Sequence, residues 1–243
     1  MNLVIDVGNT RTKFSVFNRG EVLTTVPVEE LNSSHIQILQ NQYPELKNVI
    51  ISSVKDYSAE LKKTLQDSFD KFIELDENTP LPIENRYKTK NTLGKDRIAA
   101  VVGAYDLYPN ENLLVIDAGT AITFDIINEE GQYLGGNIAP GIEMRLKALN
   151  HYTDRLPLVQ PREWNKLFGT TTEEAILAGV LNGVVFEIDK TIETFKEFYR
   201  NLKVIITGGD SEFFDKKLKN SFFVNFNLLA LGLNRILEYN GEI

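Results

Sequence analysis

The chain has 243 residues and a mass of 27.5 kDa, which suits one large domain or two small lobes. It contains no cysteine, and this excludes disulfide scaffolds, thiol nucleophiles and cysteine-rich zinc sites. Its two histidines, His35 and His151, are too few for a polyhistidine metal centre. The net charge of -8 disfavours binding to nucleic acid, because a polyanion is repelled on average.

The N-terminal residues lack the cationic region of a secretory signal, and no run of ~20 apolar residues that would cross a membrane occurs. We therefore expect a cytoplasmic protein with no membrane partner. The first predicted element is a hairpin over residues 3–17, in which two β-favouring runs flank the turn DVGNT and Gly20 closes the second run.

The stretch between residues 49 and 110 predicts a strand and two helices. A short buried strand is predicted at 49–53, and an amphipathic helix at 59–69. Residues 78–82 form a breaker-rich connection, after which Asp96 opens a helix whose apolar residues recur at the spacing of one buried face.

A second hairpin repeats the first. The letters LVIDAGT at 114–120 match LVIDVGNT at 3–10, and Gly131 closes the strand that follows. The segment 204–209 similarly repeats the strand at 49–53, and an amphipathic stretch follows it at 211–218. Because the hairpin and the later strand recur in the same order, we interpret the chain as one α/β lobe duplicated, although apolar strands ending in Asp-x-Gly are also common in unrelated α/β proteins.

The remaining elements complete the second copy. Residues 135–141 (GGNIAPG) are predicted to form a loop, and Thr172 to begin a long helix that runs to about Leu202. A C-terminal helix is predicted over 227–239. Ala175, Gly179 and Gly183 recur every four residues on one side of the long helix, which favours close packing against another backbone.

The aspartate turns are the first candidates for chemistry. Asp6 ends a buried strand and is followed by Gly8, so a carboxylate lies beside backbone amides that suit phosphate oxygens, and Asp6 could hold Mg²⁺. Asp117 supplies an equivalent corner, and two such corners facing one cleft would suit a phosphate chain with its cations. The alternative is that each is an Asx-type turn that only closes a hairpin. Residues 208–210 (GGD) are either an approach to a flat ligand such as adenine or a plain strand-to-helix turn.

Asp96 and Arg97 form the third candidate. A carboxylate here could accept a proton from a substrate hydroxyl, while the fork of the Arg97 guanidinium pairs with an anionic group on that substrate. The alternative is that Asp96 is only the N-cap of its helix.

In their order and spacing, the segments 6–10, 94–97 (GKDR), 117–120 (DAGT) and 135–141 resemble the motifs of the type III pantothenate kinases, and the resemblance extends to about Gly232. It implies an α/β fold of two duplicated ribonuclease-H-like lobes, as in the actin-like ATPases, with mixed sheets flanked by helices at 1–110 and 111–243. The implied activity is ATP-dependent phosphorylation of pantothenate to 4'-phosphopantothenate, the first step of coenzyme A synthesis, in a homodimer that requires Mg²⁺ and a monovalent cation, K⁺ or NH4⁺.

The resemblance also implies roles for individual residues. Asp96 matches the catalytic base, Asp6 the Mg²⁺-associated aspartate and Asp117 the ligand of the monovalent cation. The positions that match ATP contacts are Asp6, Val7, Gly8, Asn9, Thr10, Arg11, Thr12, Lys13 and Thr120. The positions that match pantothenate contacts are Tyr87, Gly94, Lys95, Asp96, Arg97 and Thr172, the last acting across the dimer interface.

This sequence departs from the family pattern in two places: Lys90 stands where a proline is frequent, and three threonines at 170–172 leave the matching one open by one position. Three other functions stay open. The chain could be an ATP-binding regulatory or interaction protein of the same superfamily, a kinase for another hydroxylated carboxylate, or a transcriptional accessory protein. The acidic balance weighs against direct contact with DNA in the last case.

Overall fold

A computed structural model describes residues 1–8, 11–29 and 32–242, and its strands form two mixed sheets. The first sheet contains β1 (Asn2–Val7), β2 (Thr12–Asn18), β3 (Glu21–Val28), β4 (Asn48–Ser53) and β5 (Lys71–Glu74). The second contains β6 (Glu84–Asn85), β7 (Leu113–Ala118), β8 (Ala121–Ile127), β9 (Gln132–Pro140), β10 (Lys203–Thr207) and β11 (Phe223–Val224). The helices are α1 (Ser33–Gln42), α2 (Ala59–Ser68), α3 (Lys95–Leu107), α4 (Ile142–His151), α5 (Thr172–Phe198) and α6 (Leu228–Glu242).

The order of the strands confirms the predicted duplication. The first sheet runs β3-β2-β1-β4-β5, and five strands of the second run β9-β8-β7-β10-β11 in the same pattern. In each sheet the central strand pairs antiparallel with the next strand along the chain and parallel with the fourth. The hairpins predicted at 3–17 and 114–127 and the strand predicted at 49–53 are therefore confirmed. The strand predicted at 204–209 is also present, but it ends at Thr207.

The chain divides into two compact units. The first comprises Met1–Asn110, Glu130–Leu134 and Asn227–Ile243, and the second comprises Glu111–Glu129 and Gly135–Phe226. The prediction of lobes at 1–110 and 111–243 shares the boundary after Asn110 with these units, but α6 belongs with the first of them. The two-residue strand β6 pairs in parallel with the start of β9, and both of these segments belong to the first unit.

Each unit has its own apolar core. In the first unit, buried side chains of β1, β2 and β4 pack with those of α1 and α2. In the second unit, those of β7, β8 and β10 pack with α4 and the long helix α5. Central strands covered in this way read as continuous apolar runs, which is why the sequence pattern located them. No helix among the described residues is long and apolar enough to cross a membrane.

Three local predictions were wrong. Residues 135–141 lie mostly in strand β9, where Gly136 passes so close to the Phe124 carbonyl that no side chain would fit, so its glycine serves packing in a strand. The amphipathic stretch at 211–218 contains only a 3-10 turn at Ser211–Phe214, and Lys216, with φ of 61°, cannot continue a right-handed helix. The long helix ends at Phe198.

The first unit also depends on a close contact between two helices, α3 and α6. A Cβ added to Gly232 would approach the Ala99 carbonyl of α3 more closely than 3.0 Å, and one added to Gly103 would meet the Leu228 carbonyl of α6 in the same way. Asn234 of α6 is buried and accepts a hydrogen bond of 2.9 Å from the side-chain amide of Asn2 in β1. Helix α3 thus packs closely against α6, and α6 is bonded to strand β1 of the sheet.

We expect Gly232→Ala to lower the free energy of unfolding by about 2–4 kcal/mol, because the added methyl group forces α3 and α6 apart. Chemical denaturation of the purified protein measures this. Gly241→Ala, in the last turn of the same helix and without a steric conflict, is the control and should change stability by no more than about 0.5 kcal/mol. Equal effects of the two substitutions would contradict the close contact.

Candidate active site

Asp6 lies near the carboxyl end of the central strand of the first sheet. It stands opposite Lys13 in the antiparallel pair with β2 and opposite the buried Ser52 in the parallel pair with β4. The turn that follows is tight, since the Gly8 amide donates a 3.0 Å hydrogen bond to the Arg11 carbonyl. Asn9 and Thr10, two of the predicted phosphate contacts, lie outside the described residues. Of the remaining predicted contacts, Val7 and Thr12 are buried and Arg11 is exposed.

The carboxyl group of Asp6 is electrostatically unusual. Burial raises its pKa to about 6, the Lys13 ammonium opposes this, and the carboxylate of Asp96 raises the pKa further. Two acidic side chains that the sequence places 90 positions apart are therefore close enough in the first unit to repel each other. A site that carries two mutually repelling carboxylates is suited to a bound cation.

Asp96 is the second residue of α3, and the interpretation of this residue as a helix cap was wrong. The N-cap is Gly94, which makes no side-chain capping bond, and the helix begins at Lys95. The Oδ1 atom of Asp96 accepts a 2.9 Å hydrogen bond from the Arg97 amide. A side chain on Gly94 would collide with this same carboxylate, so the glycine leaves Asp96 room at the helix start.

Arg97 and Tyr87, both predicted as substrate contacts, lie next to each other. The Arg97 side chain is 5% exposed, and its guanidinium carbon lies 5.5 Å from the centre of the Tyr87 ring. Lys95, the other charged residue of the motif, lines a small cavity of the first unit with Lys90, Asn85 and Asp76. Lys90, which replaces the frequent proline, therefore contributes a cation beside the substrate motif.

Asp117 repeats the Asp6 arrangement in the second unit. It stands opposite Thr123 of β8 and the buried Thr207 of β10, and the turn closes with a 3.0 Å hydrogen bond from the Gly119 amide to the Ala121 carbonyl. Gly208 has φ of +94° and lies so close that a Cβ there would collide with the Asp117 carboxylate. Glycine at position 208 therefore avoids a side chain that would collide with this carboxylate.

A second pair of carboxyl groups in this unit was missed by sequence reasoning. Burial raises the pKa of Asp210, and the negative charge of Glu143 in α4 raises it further. Asp210 follows the two glycines at 208–209, and its amide donates a 2.9 Å hydrogen bond to the Ala118 carbonyl. No spacing in the sequence links Glu143 to this turn, because they meet only through the packing of α4.

Thr120 and Thr172 are both exposed. The Thr120 carbonyl accepts a 3.0 Å hydrogen bond from the Gly141 amide, which fixes the start of α4 beside the turn. Thr171 is the N-cap of α5, and Glu174 accepts hydrogen bonds from the amide and the hydroxyl of Thr170. None of the contacts described above for Asp117 involves Thr172. Thr172 is the first residue of α5, and it is exposed.

The described residues contain no group of three or more histidine or carboxylate side chains arranged to hold a metal ion. Mg²⁺ at a kinase site is usually held by one or two carboxylates together with substrate phosphates. Asp6, half-buried and repelled by Asp96, fits that mode of binding. The carboxylate of Asp117, with the close backbone of Gly208, offers hard oxygen ligands of the kind that a monovalent cation accepts.

Comparison with known sequences decides the family. The sequence model described as type III pantothenate kinase matches residues 2–194. The chain belongs to the type III pantothenate kinase family. A type III pantothenate kinase from Christiangramia forsetii is 44% identical over 241 residues, which are 99% of each chain. One from Phocaeicola vulgatus is also 44% identical and covers all of both chains.

Solved structures agree with the family's fold. A protein from Campylobacter jejuni, described as a conserved putative Baf family transcriptional activator, has 26% identity and a TM-score of 0.60 over 99% of this chain and 100% of its own. A glucokinase from an Antarctic psychrotroph has 12% identity and a TM-score of 0.55 over 98% of both chains. The second likeness concerns the fold alone, and it confirms the predicted actin-like ATPase fold with two mixed sheets flanked by helices.

We expect Asp6→Asn to stabilise the metal-free protein. The folded state holds the Asp6 proton more tightly than the unfolded chain, so the free energy of unfolding falls as the pH rises from 3.8 to about 6, and the whole penalty is present above that range. Removing the charge should therefore raise stability at pH 8 by on the order of 1 kcal/mol, and the gain should vanish near pH 4.

Thermal unfolding in the presence of a chelator, at several pH values, measures this difference. The exposed Asp70 of the same unit supplies the control substitution Asp70→Asn, which should leave stability nearly unchanged at every pH. A variant Asp6→Asn that is less stable than the wild type at pH 8 would contradict the burial of an uncompensated charge.

Proposed function

We propose that this protein transfers the γ-phosphoryl group of ATP to the primary hydroxyl of pantothenate, giving 4'-phosphopantothenate in the first step of coenzyme A synthesis. Membership of the type III pantothenate kinase family over the whole chain carries this proposal. The proximity of Asp6 to Asp96 supports it, because the carboxylate of the candidate base raises the pKa of the aspartate in the proposed phosphate-binding turn, and both lie in one unit. We place the reaction in the cytoplasm.

The acceptor side of the reaction is assigned to α3. Asp96 orients the pantothenate hydroxyl and accepts its proton as the bond to phosphorus forms, which requires the carboxylate form of Asp96. Arg97 pairs with the pantothenate carboxylate, a contact that a planar guanidinium makes with two parallel hydrogen bonds. Gly94, Lys95, Tyr87 and Thr172 complete the proposed substrate contacts.

The donor side is assigned to the two aspartate turns. Residues 6–13 and Thr120 contact the phosphates of ATP, and the turn amides supply hydrogen-bond donors to oxygens that gain charge during transfer. Asp6 would hold Mg²⁺ and Asp117 a monovalent cation, K⁺ or NH4⁺, and these ions neutralise phosphate charge when bound. Most of the acceleration then comes from positioning and electrostatics.

We also propose that the active form is a homodimer built on one face of α5. Thr172, Ala175 and Gly179 are exposed along one side of this helix, and Phe186, seven residues after Gly179, is 58% exposed on the same side. A Cβ added to Gly179 or Gly183 would meet no atom within 4 Å. A helix face with little side-chain bulk at Ala175 and Gly179 and an exposed apolar ring at Phe186 suits close approach by a second copy, which would bring Thr172 near the interface.

A regulatory role is the second candidate, because the similar Campylobacter jejuni structure is described as a putative transcriptional activator. Such a protein would bind ATP without transferring phosphate to a small alcohol. The first experiment therefore separates the two functions by measuring turnover directly.

We expect the purified protein with ATP, Mg²⁺ and K⁺ to release ADP only when pantothenate is added, and to lose most of this activity when Na⁺ replaces K⁺. Asp96→Asn should lower kcat by about 100- to 10,000-fold, because an amide cannot accept the hydroxyl proton. The amide oxygen can still accept the hydrogen bond from the Arg97 amide, so the fold should persist.

A coupled assay of ADP release measures these rates. The matched control is Asp106→Asn, which lies ten residues further along α3, or about 15 Å along the helix axis. It should retain wild-type activity. Binding of ATP without any pantothenate-dependent release of ADP would contradict the kinase function and favour the regulatory one.

We expect Gly179→Arg to convert the dimer, of about twice 27.5 kDa, into a monomer with little activity. The new side chain meets no obstacle within its own chain, so its effect reports on a second copy. Size-exclusion chromatography with light scattering measures the mass. Thr194→Arg, at an exposed position about 22 Å further along α5, is the control and should remain dimeric. A dimeric Gly179→Arg variant would exclude this face as the interface.

A further inference from the structure

A buried tyrosine supports the Arg97–Tyr87 pair from behind. Tyr133, at the start of β9, is completely buried, and its ring stacks on that of Tyr87 with centroids 6.1 Å apart and planes inclined by 15°. This separation and angle fall in the range of favourable offset stacking between aromatic rings. Arg97 contacts the same Tyr87 ring, so the three side chains form a continuous chain of contacts.

The backbone fixes the two tyrosines relative to each other. Asn85 and Tyr133 are partners in the parallel pairing of β6 with β9. The Arg86 amide donates a 3.0 Å hydrogen bond to the Tyr133 carbonyl, and the Tyr87 amide donates one of 2.9 Å to Oδ1 of Asn85. The segment that carries Tyr87 is therefore bound to the strand that carries Tyr133, although 46 positions separate these two residues in the sequence.

We infer that Tyr133 is a positioning residue for recognition of the substrate carboxylate. Its ring fixes the plane of Tyr87, and Tyr87 fixes the guanidinium of Arg97 through a cation–π contact. Two parallel hydrogen bonds to a carboxylate require the guanidinium in one orientation, so a support that limits its rotation strengthens binding of that group. This inference rests on the proposed function, in which Arg97 binds the pantothenate carboxylate.

The inference predicts that Tyr133 affects recognition of the substrate carboxylate and not of the reacting hydroxyl. Pantothenol carries the same reacting hydroxyl as pantothenate but has a neutral alcohol in place of the carboxylate. A Tyr133 that acts through Arg97 matters for pantothenate and hardly at all for pantothenol. A tyrosine that only stabilises the fold would affect both substrates equally.

The experiment compares kcat/KM for pantothenate with kcat/KM for pantothenol in each variant. Tyr133→Met fills similar space without a ring. We expect it to lower the ratio of kcat/KM for pantothenate to kcat/KM for pantothenol by about three- to tenfold, mainly by raising the KM for pantothenate. Both substrates are measured on one preparation, so a partly unfolded fraction cancels in the ratio.

Two controls separate this role from a general loss of packing. Tyr133→Phe keeps the ring and should retain the wild-type ratio. Phe17→Leu alters another fully buried aromatic residue of the first unit, paired with Asn2 at the opposite end of β1 from Asp6, and should lower stability without moving the ratio. An unchanged ratio in a folded Tyr133→Met variant would overturn the inference.

If Tyr133→Met does not fold, Tyr87→Leu tests the same chain of contacts at its half-buried middle residue, and an unchanged ratio there would equally overturn the inference. The two proposals fail in different ways. A wild-type protein that phosphorylates neither compound would overturn the proposed function, and the inference with it. A wild-type protein that phosphorylates pantothenate, with a ratio insensitive to position 133, would overturn the inference alone.

Discussion

The central strand of each sheet, β1 or β7, has an antiparallel neighbour on one side and a parallel neighbour on the other, and this pairing fixes the place of its aspartate. Asp6 lies in register with Ser52, and Asp117 with Thr207. A carboxylate is thus held near the carboxyl end of each central strand, one residue before the strand ends. For Asp6 this position disfavours the charged carboxylate, since burial raises its pKa to about 6. A carboxyl group with a raised pKa is typical of a site that binds a cation or performs proton transfer.

The acceptor half of the proposed site depends on a different constraint, the placement of α3. The glycine contact between α3 and α6 brings two helix backbones together, and Asn234 ties α6 to the first strand. The C-terminal helix therefore belongs structurally to the unit that the N-terminus begins. The helix start that carries Asp96 and Arg97 is held by residues far from it in sequence, so substitutions in α6 can affect the proposed base without touching it.

The repeat was visible in the sequence because buried central strands and aspartate turns depend on local patterns. The letters LVID occur twice, and each copy has the same strand order around it. The edges of the sheets were less predictable. Strand β9 contains the first six residues of GGNIAPG, whose composition favours a loop, and the neighbouring carbonyl of Phe124 explains why glycine is needed at position 136. At this position, tertiary packing outweighs the low intrinsic preference of glycine and proline for β-strands.

Some residues of the candidate sites could likewise be predicted from the sequence, and others could not. Asp6, Asp96 and Asp117 were predicted as site residues from motifs, since each lies beside a turn or a helix start with a recognisable spacing. Tyr133 and Glu143 were not found, because what marks them is a contact made by packing: a ring stacked on Tyr87, and a charge that reaches Asp210. The alternative interpretation of Asp96 as a helix cap was wrong by two positions, because the N-cap is Gly94, which makes no side-chain capping bond.

The identity of the phosphorylated product tests the central claim most directly. Phosphorus NMR of the wild-type protein with ATP and pantothenate should show a new phosphomonoester signal that grows in equal amount with ADP. The signal should couple to the protons of the methylene group that carries the substrate's primary hydroxyl. Formation of ADP and inorganic phosphate without that signal, or no consumption of ATP at all, would contradict the claim that this fold phosphorylates pantothenate.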